Sequence, residues 1–387
     1  MRIGRNRIWW LAGALFAILI FALLAALAGR SPSPPEVDAL VPGETESLRA
    51  EVVAVLEQGT VDQGGFEQPY QVLRLRLSEG SLEGQEVDVE YGTMRPTSED
   101  RLFRVGDRLV VDRTRTIEGQ DFYSVGDYIR TKPLLWLTLL FVGATLLLSG
   151  WQGIRSLLGM AISLAVIGAF IVPQVLAGSS PLLVAIAGSV VMMGASLYLV
   201  YGWRQKTHVA VAGLLVSLMF TGLLAIWFVD WARLSGFGAE EATFLQFAGV
   251  QLDPQGLLLA GIMIGLLGAL DDIAIGQASA IFELSKANPG LTRQALFRHG
   301  MAIGRDHIAA MVNTLLLAYV GAALPLVLLF TVYAEPLGIT LNREIIAEEI
   351  VRTLIGSLGL LAGVPFTSLI AAIVARPPSE GAAPADS

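Results

Sequence analysis

Apolar residues along this chain follow two rhythms. Eight runs are continuous, namely Ile8–Ala28, Pro133–Gly150, Ser156–Val175, Pro181–Tyr201, Val209–Val229, Leu257–Gln277, Ile308–Leu329 and Ile350–Val374. Each is close to the roughly 20 apolar residues that a helix needs to cross a bilayer. Between the first and second runs the period becomes two. Leu73, Leu75 and Leu77 alternate with Arg74 and Arg76, and Val87, Val89 and Tyr91 alternate with Glu86, Asp88 and Glu90. That alternation marks strands buried on one face. Further strands are expected at Leu48–Leu56, at Arg108–Val111 after the turn Val105-Gly106-Asp107, and at Asp121–Ile129. Five short strands with glycine turns predict a small β-barrel-like, OB-like domain.

Proline and glycine place the boundaries. Pro32, Pro34, Pro35 and Pro42, set among small and acidic residues, make 29–46 a linker. The expected order is therefore a transmembrane anchor at 1–28, the Pro-rich linker at 29–46, a β-domain at 47–132, a seven-helix membrane domain at 133–375 and a disordered tail at 376–387. Ala26-Leu27-Ala28 resembles a signal-peptidase site. The whole run, at 21 residues, exceeds the roughly 7–15 of a signal sequence, so an uncleaved anchor is expected.

Composition agrees with a membrane protein. The chain is 54% hydrophobic and 16% charged, with mean hydropathy +0.62, against about 25% charged residues in soluble domains. Trp9, Trp10, Trp136, Trp151, Trp203, Trp227 and Trp231 all fall at or near the ends of apolar runs, as in an interfacial aromatic belt. The absence of cysteine excludes disulfides, thiolate metal sites and cysteine nucleophiles. The net charge of −8 with no basic tract argues against nucleic acid as a partner.

Charge also orients the chain. Arg2, Arg5, Arg7, Arg155, Arg204, Lys206, Lys286, Arg293, Arg298, Arg305 and Arg376 fall on the side of the N terminus, while the short loops opposite hold Arg233 and Arg343, with Arg352 at a helix edge. The positive-inside rule then puts both termini in the cytoplasm and the β-domain outside. Arg130 and Lys132 run against the bias, but long domains translocate largely regardless of charge.

Candidate chemistry lies in the sixth and seventh runs. Asp253-Pro254 has the form of a helix start. Beyond it Gly261, Gly265, Gly268, Asp272, Gly276 and Ser279 recur three or four residues apart on one face. Small residues permit close backbone approach, so this stripe is expected to pack on protein and carry Asp272 into the bundle, with Asp271 and Gln277 at its border. Asp272 lies about 22 Å along the helix from Leu257, within about 8 Å of the inner edge of a ~30 Å core. Asp306 and His307 on the next helix reach a similar depth, with Asn313 and Thr314 nearer the midplane and Arg305 as an interfacial charge. Ionisable residues at such depth cost about 2.5–3.5 kcal/mol on insertion scales and are functional candidates for that reason. Gly356, Gly359 and Gly363, followed by Pro365, predict a packing face and a kink in the last run. Asn288-Pro289-Gly290 should end the sixth helix, and Leu291–Arg298 reads as a short surface helix.

Three stretches resemble the YibE/F-like family of bacterial multi-pass membrane proteins. The first is Gly268-Ala269-Leu270-Asp271-Asp272-Ile273-Ala274-Ile275-Gly276-Gln277-Ala278-Ser279-Ala280-Ile281-Phe282-Glu283-Leu284. The second is Ile303-Gly304-Arg305-Asp306-His307-Ile308 with Asn313-Thr314-Leu315-Leu316-Leu317-Ala318-Tyr319, and the third Glu349-Ile350-Val351-Arg352-Thr353-Leu354 with Gly356-Ser357-Leu358-Gly359. The resemblance spans about Pro133–Val374. It implies an N-terminal anchor, an extracytoplasmic domain, residence in the bacterial inner membrane, and shared polar positions at Asp272, Arg305, Asp306, Asn313 and Thr314.

The favoured activity is secondary transport of a small solute or ion, with Asp272, Asp306, Asn313, Thr314, Asp271, Gln277 and His307 as the binding candidates. No GxxxxGK[ST] loop is present, and no cofactor is expected. One rival is a non-transporting assembly or sensory protein acting through the β-domain. Another is an intramembrane enzyme using a carboxylate pair or a metal held with His307. The Gly-x-Gly-Asp pattern of intramembrane aspartyl proteases is absent, the residues being Gly268-Ala269-Leu270-Asp271. Expected partners are the lipid bilayer and the transported species, with a second copy or another membrane protein as further candidates.

Overall fold

The structure, a computed structural model, describes residues 45–62, 65, 67–78, 82–93, 97–115, 121–247, 250, 252–332 and 335–375. The predicted anchor Ile8–Ala28, the linker up to residue 44 and the tail from residue 376 lie outside the described residues. Two compact units divide the chain, one of residues 36–147 and one containing Leu148–Ser387.

The first unit is a five-stranded antiparallel sheet, β1 (Thr45–Asp62), β2 (Glu67–Leu77), β3 (Glu86–Tyr91), β4 (Arg108–Arg115) and β5 (Asp121–Tyr128), in the order β3-β2-β1-β4-β5. β1 pairs with β4 through its first half and with β2 through most of its length, and its register shifts between Val52 and Ala54 and again between Val55 and Glu57. Such bulges bend a strand and raise its twist, which lets one sheet curl into a half-barrel. The predicted alternation holds. Leu73, Leu75 and Leu77 are buried with Leu48, Val52, Leu109 and Val111, while Arg74 and Arg76 point outward. Buried Gln71 closes one end by accepting from the Phe103 amide at 2.8 Å and donating to the Phe103 carbonyl at 3.1 Å. The Phe103 ring stacks on Tyr128 at 4.1 Å.

The outer face is held by ion pairs across strands. Arg74 meets Asp88 at 2.8 Å, and Asp121 meets Arg113 at 2.7 Å and Arg115 at 3.1 Å. The guanidinium hydrogen bonds hold the carboxyls of Asp88 and Asp121 below their ordinary range. A carboxylate depressed in the folded state contributes stability above its unfolded pKa of about 3.9, and that contribution is lost as pH falls through the folded value. Hydrogen-exchange protection of Leu73–Leu77 in the full-length chain, corrected for intrinsic rates, should therefore decline below about pH 4. Arg113→Gln should flatten the decline. Protection unchanged from pH 6 to pH 3 would refute it.

The second unit is helical. Its helices are α1 (Thr131–Val166, whose first turns belong to the first unit), α2 (Val172–Leu176), α3 (Pro181–Tyr201), α4 (Gln205–Trp231), α5 (Glu240–Phe247), α6 (Pro254–Ala287), α7 (Arg293–Ala322), α8 (Leu324–Val332), α9 (Leu337–Thr340) and α10 (Glu344–Val374). Five stretches are long and apolar enough to cross a bilayer, and the bent pair α7 and α8 makes a sixth, all among the described residues. One stretch, Thr131–Leu176, runs for 46 residues, about 69 Å if straight and twice the length a span requires. Gly150 interrupts it at φ 52°, ψ −131°, at the boundary the apolar pattern predicts. A π-helical turn, Ile167–Ile171, joins α1 to α2.

Helix ends follow the local signals. Asp253 accepts from the Gly256 amide at 3.0 Å to cap α6, which ends at Ala287 before Asn288-Pro289-Gly290. Leu291–Arg298 is not a separate surface helix. Thr292 caps α7 by accepting from the Ala295 amide at 3.2 Å, and the helix continues unbroken to Ala322. The seventh apolar run then bends by 58° between α7 and α8, where Pro325 lacks the amide needed to continue the ladder. α10 passes through Pro365.

α6 is the centre of this unit, packed against α3, α4, α7 and α10. Its buried face is not the small-residue stripe. Ile262, Met263, Leu266, Leu270, Ile273, Ala274, Gln277 and Ile281 face inward, while Gly261, Gly265, Gly268, Asp272 and Gly276 are exposed. The neighbours supply the small residues instead. A Cβ built on Gly363 or Gly359 of α10 would lie 2.9 Å from Leu270 Cδ2 or 2.7 Å from Leu266 Cδ2, and one on Gly300 of α7 would lie 2.6 Å from Ile281 Cδ1. Large side chains of α6 thus enter hollows on α7 and α10, and the glycines predicted to pack on the last run, Gly356, Gly359 and Gly363, are buried.

Candidate functional site

The exposed small-residue side of α6 borders a cleft of about 290 Å³. Asp271, Asp272, Gly268 and Ile275 of α6 line it, with Ser156 of α1, Ser196 and Tyr201 of α3 and Met311 of α7. Two carboxylates and three hydroxyls line this one volume. The Asp271 Oδ1 atom is buried with no hydrogen-bond partner. A buried, unsatisfied carboxylate oxygen is costly unless a cation, a proton or water completes its shell. Asp272 projects further out and is exposed.

α7 reaches over this side of α6 with long side chains. A Cβ on Gly265 would meet Tyr319 Oη at 2.8 Å, and one on Gly276 would meet His307 Cε1 at 3.8 Å. His307 therefore lies beside Gly276, one turn from Asp272. Asp306, Asn313 and Thr314 do not line the cleft and are exposed, as is Arg305. The expectation that Asp272 is buried against Asp306 and Asn313 thus fails on rotation rather than on depth. Asp306 and Asn313 lie close to 180° around α7 from Leu315, which packs toward Gly356 of α10.

Gln277 has a structural assignment. It is 3% exposed, and its amide donates to the Gly300 carbonyl at 2.6 Å and to Ser368 Oγ at 2.7 Å, tying α6 to α7 and α10. At the cytoplasmic end expected from sequence, Lys206 Nζ donates to Ser279 Oγ at 3.2 Å.

Sequence reasoning missed Ser156, Ser196 and Tyr201, because hydroxyls scattered in apolar runs carry no spacing signal. It also missed the anchoring of the turn after α4. There the Gly238 amide donates to buried Glu348 at 3.0 Å, Ser235 Oγ donates to Glu344 at 2.6 Å, and Gln255 donates to the Leu234 carbonyl at 3.1 Å. The turn needs left-handed backbone at Arg233, φ 54°, and Gly236, φ 85°. The acids Glu344, Glu348 and Glu349, grouped at the start of a helix that is apolar further on, were the available signal.

Several helices long and apolar enough to span a bilayer, gathered around a polar cleft, are the build of a helical membrane protein. More narrowly, the chain belongs to the YibE/F-like protein family, whose model matches residues 137–377. That match covers the described helices from residue 137 onward and all of the polar positions that carried the resemblance. No curated protein and no solved structure matches the chain.

Proposed function

We propose that the chain is a secondary transporter or permease of the bacterial inner membrane, moving a small cation or proton through the cleft beside Asp271 and Asp272. The observation that carries this reading is the unpartnered Asp271 Oδ1 facing a cleft with a second carboxylate and three hydroxyls. Oxygen donors of this kind suit hard cations, and a pair of neighbouring carboxylates favours a positively charged occupant. In this reading Thr131–Leu176 supplies two crossings, Ile8–Ala28 one, and α3, α4, α6, α7 with α8, and α10 the other five. That gives eight spans, both termini in the cytoplasm and an OB-like β-domain outside. The intramembrane-hydrolase alternative has less support, because Asp306 is exposed and does not line the cleft that holds Asp271 and Asp272.

Flux in proteoliposomes tests the proposal. Purified protein should dissipate a gradient of H⁺, Na⁺, K⁺ or a divalent cation faster than protein-free vesicles of the same lipid. Flux at the protein-free rate for every one of these ions would overturn it.

A further inference from the structure

The outward face of α7 leads beyond the cleft. Asp306, Ala310, Asn313 and Leu317 follow one line along the helix, at spacings of four, three and four. The residues through which α7 meets its own chain, such as Gly304 against Val364 and Leu315 against Gly356, lie on the opposite side. The polar line is therefore turned away from every described helix of the unit.

Lipid is a poor neighbour for it. Among the described residues Arg305, Asp306 and Asn313 have neither a hydrogen bond nor an ion pair, whereas the Thr314 hydroxyl donates to the Ala310 carbonyl of its own helix at 2.9 Å. Asn313 lies within the apolar run Ile308–Leu329, where an unpaired amide costs free energy that a partner helix can recover.

We propose that this line is the contact between two copies of the chain, with α7 packed on its counterpart about a twofold axis along the membrane normal. Self-complementarity favours that occupant. An amide carries both donor and acceptor, so Asn313 can pair with itself across a twofold axis. Arg305 flanks Asp306 at nearly the same depth, so each guanidinium can meet the other copy's carboxylate and offset the repulsion between the two acids. Ala310 between them allows close approach. The chain's own N-terminal run is a worse fit, since Leu11–Ala28 contains no side chain able to donate or accept a hydrogen bond.

The absence of cysteine makes the test clean. Single-cysteine variants Asn313→Cys and Leu317→Cys, oxidised in native membranes, should give disulfide-linked dimers well above Met219→Cys, a control that is 70% exposed on α4. Leu317→Cys leaves the amide in place, so its cross-linking reports the interface even if Asn313→Cys weakens it. Asn313→Leu should raise the dimer dissociation constant in lipid about tenfold, from an interhelical hydrogen bond of about 1–2 kcal/mol. Cross-linking of Leu317→Cys no stronger than the Met219→Cys control would overturn the proposal. So would an intramolecular disulfide in Ala17→Cys/Asn313→Cys, which would put the N-terminal run on this face.

Discussion

Asp271→Asn and Asp272→Asn should each reach the membrane at normal levels, keep the melting temperature of the parent, and lower cation flux at least tenfold. The side chains keep their shape, and removing a carboxylate from an apolar helix eases insertion. Folding has little to lose at Asp271, whose buried Oδ1 makes no hydrogen bond in the chain. Transport has much more to lose. A charged hydrogen bond or ion contact is worth about 1.5–3 kcal/mol, and each 1.4 kcal/mol is a factor of ten. Thermal unfolding of the same two variants is the control for folding. Flux retained in both, or melting lowered in step with flux, would remove these carboxylates from the mechanism.

Gly213→Leu should leave little folded protein, while Gly261→Leu should be tolerated within a single chain. α4 and α10 cross at Gly213, where an added Cβ would press on Thr367 Oγ1 and lie 2.9 Å from Thr367 Cα. The second contact is backbone, so a side chain can enter only if the two helices separate. Overpacking by even a few atoms costs about 1–3 kcal/mol, and leucine adds four carbons. Gly261 has nothing within 4 Å of a built Cβ. Detergent-solubilised yield and melting temperature decide the matter. A Gly213→Leu variant as stable as the parent, or a collapse at Gly261, would refute this account of the packing.

Several features were legible without coordinates because they are local. Strand alternation at Leu73, Leu75 and Leu77, the Asp253-Pro254 cap, the stop at Asn288-Pro289-Gly290 and the break at Gly150 each depend on a few neighbouring residues. The family, too, was legible, since its motifs are contiguous in the chain and the match over residues 137–377 bears out that resemblance. Length and hydropathy likewise picked out the long apolar helices, though not the start of α7 at Arg293 or its bend before Pro325.

Rotation about the helix axes was the part that needed tertiary structure. A small-residue stripe shows that a helix can be approached closely on one side, but not whether its neighbours use that side. In α6 the close approach is made by glycines of α7 and α10 to its large residues, leaving Gly261, Gly268 and Asp272 to face open space and the cleft. In α7 the depth of Asp306 and Asn313 follows from counting residues at about 1.5 Å each, whereas their direction is set by which face meets α10. Gathering Ser156, Ser196 and Tyr201 around Asp271 required three helices distant in sequence to converge. Sequence thus determined the elements, their ends and the polar residues among them, because those follow from local backbone chemistry and burial period. Only the packing of whole helix faces, a collective balance of shape among four neighbours of α6, decided which of those residues share a site.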